Sequence, residues 1–108
     1  MNPARAAAER YVACVNAADL DALVDLFAPD AIVLHPLGAF EGAESVRRFY
    51  AESILCHRPA LTASGWVVDG SRCAFELEAV TAGRTSYALD HCTVDDDGRI
   101  CRMTIAYR

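Results

Sequence analysis

No stretch of this sequence is long and apolar enough to cross a bilayer as a helix. The apolar runs, such as Ala31 to Leu34, fall far short of the roughly 20 residues a span requires. Met1 to Asn16 also lacks the basic start and unbroken apolar block of a secretory signal, because Arg5, Glu9 and Arg10 interrupt an alanine-rich stretch. A cytoplasmic location is the expectation. Positive charge is scarce as well. The formal net charge is −5, which argues against general affinity for nucleic acid or an anionic membrane. No nucleotide loop, nucleophile elbow or phosphate cradle is present, and Ser45, Ser53, Ser64, Ser71 and Ser86 stand in none of those contexts. Repeats, linkers and low-complexity segments are missing too.

Cysteine is not scarce, but its pattern excludes chemistry. Cys14, Cys56, Cys73, Cys92 and Cys101 are odd in number and form no Cys-x-x-Cys. They read as small buried apolar residues. Cys56–His57 and His91–Cys92 are adjacent pairs, not ligands at zinc spacing, so no metal is expected.

What is present is a core. Hydrophobic residues make up 54% of 108 residues, enough for one domain over 1–108 and too many for a disordered chain. Ala8, Tyr11, Val12 and Val15 fall at i, i+3, i+4 and i+7, the stripe of a first helix. Asn16 to Asp19 interrupts it. Asp19 can cap a second helix with Leu20, Leu23, Val24 and Phe27 inward, ended by Pro29. Ala31 to Leu37 reads as a strand that Pro36 ends, followed by a short loop punctuated by Gly38 and Gly42. A third helix follows over about 43–54, with Val46, Phe49 and Tyr50 inward. Asp69-Gly70, Gly83 and Asp97-Gly98 then divide the rest into a meander of four long strands. The expected class is α+β: three helices packed on a strongly curved, mostly antiparallel sheet, forming a cone with an apolar pocket.

Three inward positions carry chemistry instead of plain packing. Tyr11 lies within the first helix stripe, and His35 alternates with Val33 and Leu37. Asp90 alternates with Ala88, Cys92 and Val94, although Tyr87, Leu89 and His91 on the opposite face leave its direction open. A carboxyl turned into an apolar interior takes up a proton and becomes a donor, or else it is paired with backbone or arginine. Histidine is the side chain whose ordinary pKa best suits a general base near neutrality.

Glu9-Arg10-Tyr11-Val12-Ala13, Asn16-Ala17-Ala18-Asp19-Leu20-Asp21 and Leu26-Phe27-Ala28-Pro29-Asp30-Ala31 resemble the ketosteroid isomerases. So do Phe49-Tyr50-Ala51, Leu89-Asp90-His91, Asp97-Gly98-Arg99-Ile100 and Met103. That family is a branch of the SnoaL-like, nuclear-transport-factor-2-like superfamily. The resemblance implies an oxyanion hole of Tyr11 and a protonated Asp90, with Tyr50 supporting Tyr11. In the ketosteroid isomerases an apolar environment keeps such a carboxyl protonated so that it can donate. Where the family has an aspartate base before the strand's proline, this chain has His35, in Val33-Leu34-His35-Pro36.

The expected function is a cofactor-free isomerase that shifts a double bond in a 3-ketosteroid or similar apolar ketone. His35 would be the base, and Tyr11 and Asp90 the donors. Val33, Phe49, Trp66, Phe75, Met103 and Tyr107 are the expected pocket lining. A polyketide cyclase, another enolising enzyme or a non-catalytic apolar-ligand module are the alternatives. The resemblance also implies a homodimer through the outer face of the sheet, where Trp66 or Tyr87 could lie.

Overall fold

The computed structural model describes residues 2–108. Helix α1 (Pro3–Asn16) opens with Asn2 as N-cap, its side chain accepting from Arg5 N–H, and with proline in the first turn, where a missing donor costs nothing. Helix α2 (Leu20–Asp25) is capped as expected by Asp19, whose carboxylate accepts from Ala22 N–H. Strand β1 (Phe27–His35) and the short β2 (Gly38–Glu41) form a hairpin. Helix α3 (Ala43–Phe49) runs into a π-helical turn (Tyr50–Ile54) and a 3₁₀ turn (Leu55–His57). Strands β3 (Ala60–Asp69), β4 (Arg72–Thr81), β5 (Arg84–Val94) and β6 (Ile100–Tyr107) complete the chain.

The six strands make one open sheet in the order β2-β1-β6-β5-β4-β3, antiparallel except for the parallel pair β1 and β6. Helix α1 crosses the face of β3, β4 and β5, while α3 covers β1. Among the described residues no helix is long and apolar enough to cross a membrane.

Three local expectations are corrected. Strand β1 begins at Phe27, not Ala31, because Phe27 pairs with Ile100 and the Ile100 N–H donates to Leu26 at 2.8 Å. Pro29 therefore lies inside a strand. It occupies the irregular stretch between Phe27 and Ile32, where no ladder bond is lost to its missing N–H. The expected loop from Gly38 is strand β2, paired with Ile32–His35. Cys56 is exposed, unlike buried Cys73 and Cys92. It follows the end of regular α-helix, and its Sγ–H donates to Glu52 O at 2.9 Å.

Cross-strand register decides which side chains share the concave face. Phe75, Asp90 and Ile105 are in line across β4, β5 and β6, flanked by Leu77–Ala88–Tyr107 and by Cys73–Cys92–Met103. Glu76, Leu89 and Ala106 fall on the convex face. In β3 a bulge between Ser64 and Val67, with Gly65 at φ 63°, adds one residue and returns Trp66 to the concave side. There its ring stacks on Phe75 at 4.8 Å, with the Arg5 guanidinium 4.1 Å above it.

Candidate active site

An open-ended cavity of about 240 Å³ lies between the concave face, α1 and the π-helical turn. It falls just below the roughly 300–1,000 Å³ common for small-molecule pockets, so a ligand of several rings would extend through the mouth. Val15, Leu61, Leu77, Ala88 and Ile105 supply apolar walls. Tyr11 and Asp90 are polar groups at the buried end, 3% and 1% exposed. Ser53, His57, Thr81, Ser86 and Tyr107 line it toward solvent.

Tyr11 is carried by the buried stripe of α1, and Tyr50 by the junction of α3 with the π-helical turn. Their hydroxyls are 2.9 Å apart, and either oxygen could donate. Tyr50 has no other hydroxyl partner among the described residues, while Tyr11 lines the cavity. If Tyr11 donated, the Tyr50 proton would be buried without an acceptor. The favourable arrangement is Tyr50 donating to Tyr11, which leaves the Tyr11 O–H aimed at the cavity. Burial raises both phenols well above their ordinary pKa, so both keep their protons.

Among the described residues Asp90 is the one buried charged group of the core, and its Oδ1 has no hydrogen-bond partner there. Burial pushes its carboxyl from 3.8 up to about 7. A carboxyl that retains its proton near neutrality and opens onto a cavity can act as a donor, as an acid or, once ionised, as a base.

His35 has a different environment. It ends β1, and its Nδ1 accepts from Leu37 N–H at 3.0 Å while its Nε2 lies 2.9 Å from Tyr107 Oη. Burial lowers its pKa, so the ring favours neutrality. His35 is not among the cavity-lining side chains, but it stands behind Tyr107, which is. An aromatic array links it to the buried end: His35 to Phe49 at 4.9 Å, Phe49 to Tyr50 at 4.9 Å, Tyr50 to Tyr11 at 5.8 Å.

Tyr107 is the only one of the six expected lining residues that the cavity includes. Val33, Phe49, Phe75 and Met103 are core residues with at most 2% exposure, and Trp66 lies between Arg5 and Phe75. Inward facing was right for Val33, Phe49, Phe75 and Met103, but neighbouring core atoms fill the space they face, and the outer-face position also offered for Trp66 is corrected by the β3 bulge. Leu77 and Ile105 could have been picked from the same strand alternation. Ser53 and His57 could not, because π and 3₁₀ turns break the 3.6-residue period. Among the described residues no three His, Cys, Asp or Glu side chains cluster as metal ligands.

Helices laid on one face of a curved, open mixed sheet, with polar groups at the closed end of the cone, define the nuclear-transport-factor-2-like class. The SnoaL-like domain model matches residues 8–103, and the chain belongs to that family. Solved structures agree on the fold. A candidate ketosteroid isomerase from Kribbella flavida superposes with a TM-score of 0.87 at 21% identity, over 98% of this chain and 78% of that one. SalBIII, an epoxide hydrolase/cyclase-like enzyme of pyran ring formation in salinomycin, gives 0.86 at 23% identity, over 96% and 89%. A Mycobacterium tuberculosis protein in complex with estradiol-17beta-hemisuccinate gives 0.83 at 21% identity, over 100% and 92%.

Proposed function

We propose that this protein is a cofactor-independent enzyme that enolises a small apolar ketone, in the manner of a ketosteroid isomerase or a polyketide cyclase. The observation that carries this reading is Asp90: a buried carboxyl with an unpartnered oxygen, on a cavity wall it shares with Tyr11. Tyr11, held by Tyr50, donates to the ketone oxygen. Ionised Asp90 takes a proton from the adjacent carbon, and the C–H electron pair moves onto the oxygen as an enolate. Protonated Asp90 then returns the proton two carbons away, which shifts a double bond. Alternatively, the enolate carbon attacks a second carbonyl and closes a ring. Either sequence balances without a cofactor. A 3-ketosteroid whose distal rings protrude from the mouth is one substrate of this class. The solved neighbour that holds an estradiol derivative supports a ligand of that shape.

A second reading has the roles that the ketosteroid-isomerase resemblance implies. Asp90 stays protonated as a second donor beside Tyr11, and His35 takes the carbon proton. The neutral, partly desolvated ring of His35 favours it. The Leu37 N–H on Nδ1 opposes it, since that bond places the ring proton on Nε2.

The test is an ultraviolet assay of conjugated enone formation from a β,γ-unsaturated ketone, comparing wild type with Tyr11→Phe and Asp90→Asn across pH 5–9. Loss of the Tyr11 donor should cost roughly 10²–10³-fold, and loss of a proton carrier roughly 10²–10⁴-fold. If Asp90 is the base, the rate rises with pH through about 7, because the carboxylate is the active form. If Asp90 is a neutral donor, the rate falls as pH passes about 7, and Asp90→Asn keeps part of the activity. A folded wild type that neither turns over nor binds such ketones would sink both readings.

The convex face supports a homodimer as part of the same proposal. Val67, Leu89 and Tyr87 are 65%, 52% and 41% exposed there, which is much apolar surface to leave in water.

A further inference from the structure

The geometry points to Tyr107 as an additional hydrogen-bond donor to the bound ligand, with His35 as the residue that aims it. This rests on the reading of the cavity as a ligand site, and it stands against the second reading above, because it occupies both ring nitrogens of His35.

The argument starts at Leu37. Its backbone N–H donates to His35 Nδ1 at 3.0 Å, so Nδ1 must offer a lone pair. A neutral imidazole has one proton and one lone pair, so the proton is on Nε2. Nε2 lies 2.9 Å from Tyr107 Oη, and the bond therefore runs from His35 Nε2–H to the phenol oxygen. With that lone pair engaged, the hydroxyl proton of Tyr107 is left to point elsewhere, and the side chain lines the cavity. The ring is held edge-on to His35 at 5.2 Å, and His35 is packed in turn on Phe49 at 4.9 Å. A donor fixed from behind needs no reorganisation when a ligand oxygen arrives.

Tyr107 is also well placed relative to the buried end. Ala88 pairs with Tyr107 and Asp90 with Ile105, so Tyr107 and Asp90 are diagonal neighbours on one face of adjacent strands. Tyr11, Asp90 and Tyr107 thus contribute three hydroxyl or carboxyl groups to one cavity. His35, at the position where the family has its base, is a positioning residue in this chain.

Two measurements test this. The first is nitrogen-15 NMR of the wild-type histidines, assigned with His35→Gln. The expected result is an Nε2–H ring at His35, with the Nε2 resonance moved in Tyr107→Phe. An Nδ1–H ring overturns the proposal. The second is a fluorescence titration with 2-naphthol, whose naphtholate mimics an enolate oxygen, on wild type, Tyr107→Phe, His35→Leu and the double variant. Each single change should weaken binding roughly three- to tenfold. The double variant should bind no more weakly than Tyr107→Phe, and His35→Gln, which retains a donor, should recover most of the loss. Additive losses, or no loss in Tyr107→Phe, overturn it. Tyr11→Phe and Asp90→Asn separate the two claims. If these leave naphthol affinity unchanged while His35 and Tyr107 remain coupled, the enolising reading fails and Tyr107 stands. If they abolish binding while Tyr107→Phe does not alter it, Tyr107 fails alone.

Discussion

Asp90 lowers the stability of the fold at neutral pH, because burial penalises its ionised form. An aspartate whose pKa is higher in the folded state than in the unfolded chain binds its proton more tightly when folded. It opposes folding wherever the unfolded chain has already lost that proton. The opposition is absent below about 3.8, grows through the interval to about 7, and is constant above it. That interval corresponds to on the order of 4 kcal/mol. Asp90→Asn removes the ionisation while preserving the shape. It should raise the melting temperature at pH 8 by on the order of 10 °C, with the gain fading toward pH 4. Melts followed by circular dichroism at both pH values check this, and an equal gain at each would contradict it. Tyr50 is subject to a related argument. Tyr50→Phe deletes a buried hydroxyl whose one bond goes to Tyr11, so it should weaken naphthol binding by misdirecting Tyr11, with little change in melting temperature.

At the level of elements, two irregularities decide which side chains turn inward. The π-helical turn at Tyr50–Ile54 is wider than α-helix, and it brings Ser53 and Ile54 to the cavity while Tyr50 stays buried behind Tyr11. The bulge at Gly65 does the corresponding job in β3, turning Trp66 inward over Phe75. A Cβ at Gly65 would sit at a left-handed φ, and it would also push aside the exposed end of the Glu76 side chain, which can swing away at little cost. Gly65→Ala should therefore destabilise the fold by about 1–2 kcal/mol. Trp66 is the single tryptophan, so its emission should shift as the stack on Phe75 loosens. Unchanged emission and stability would show that the bulge does not depend on glycine.

The molecule as a whole is a sheet with one covered face. α1 and α3 bury the concave side, while the convex side leaves Leu89 and Val67 in water. A second copy is the occupant proposed above. Sedimentation should give a dimer at micromolar concentration, and Leu89→Arg should give a monomer of unchanged helix and strand content. A monomeric wild type would refute the dimer.

Much of this was legible in the sequence because short-range periodicity reports facing. The stripe through Tyr11, the cap at Asp19, the three turn signals and the alternation around Asp90 all depend on residues within one or two turns of chain. So did the resemblance, which brought Tyr11, Tyr50 and Asp90 into view before any geometry. Long-range register was out of reach. Only the tertiary structure decided that Asp90 falls in line with Phe75 and Ile105 with an oxygen left unpaired, and that Phe75 and Met103 are filled core instead of cavity wall. It alone set His35 against Tyr107, 72 residues away, because a hydrogen bond between the ends of two parallel strands has no local signature. Periodicity sorted the side chains onto two faces; cross-strand register and packing determined which face is inward and which residues on it meet empty space.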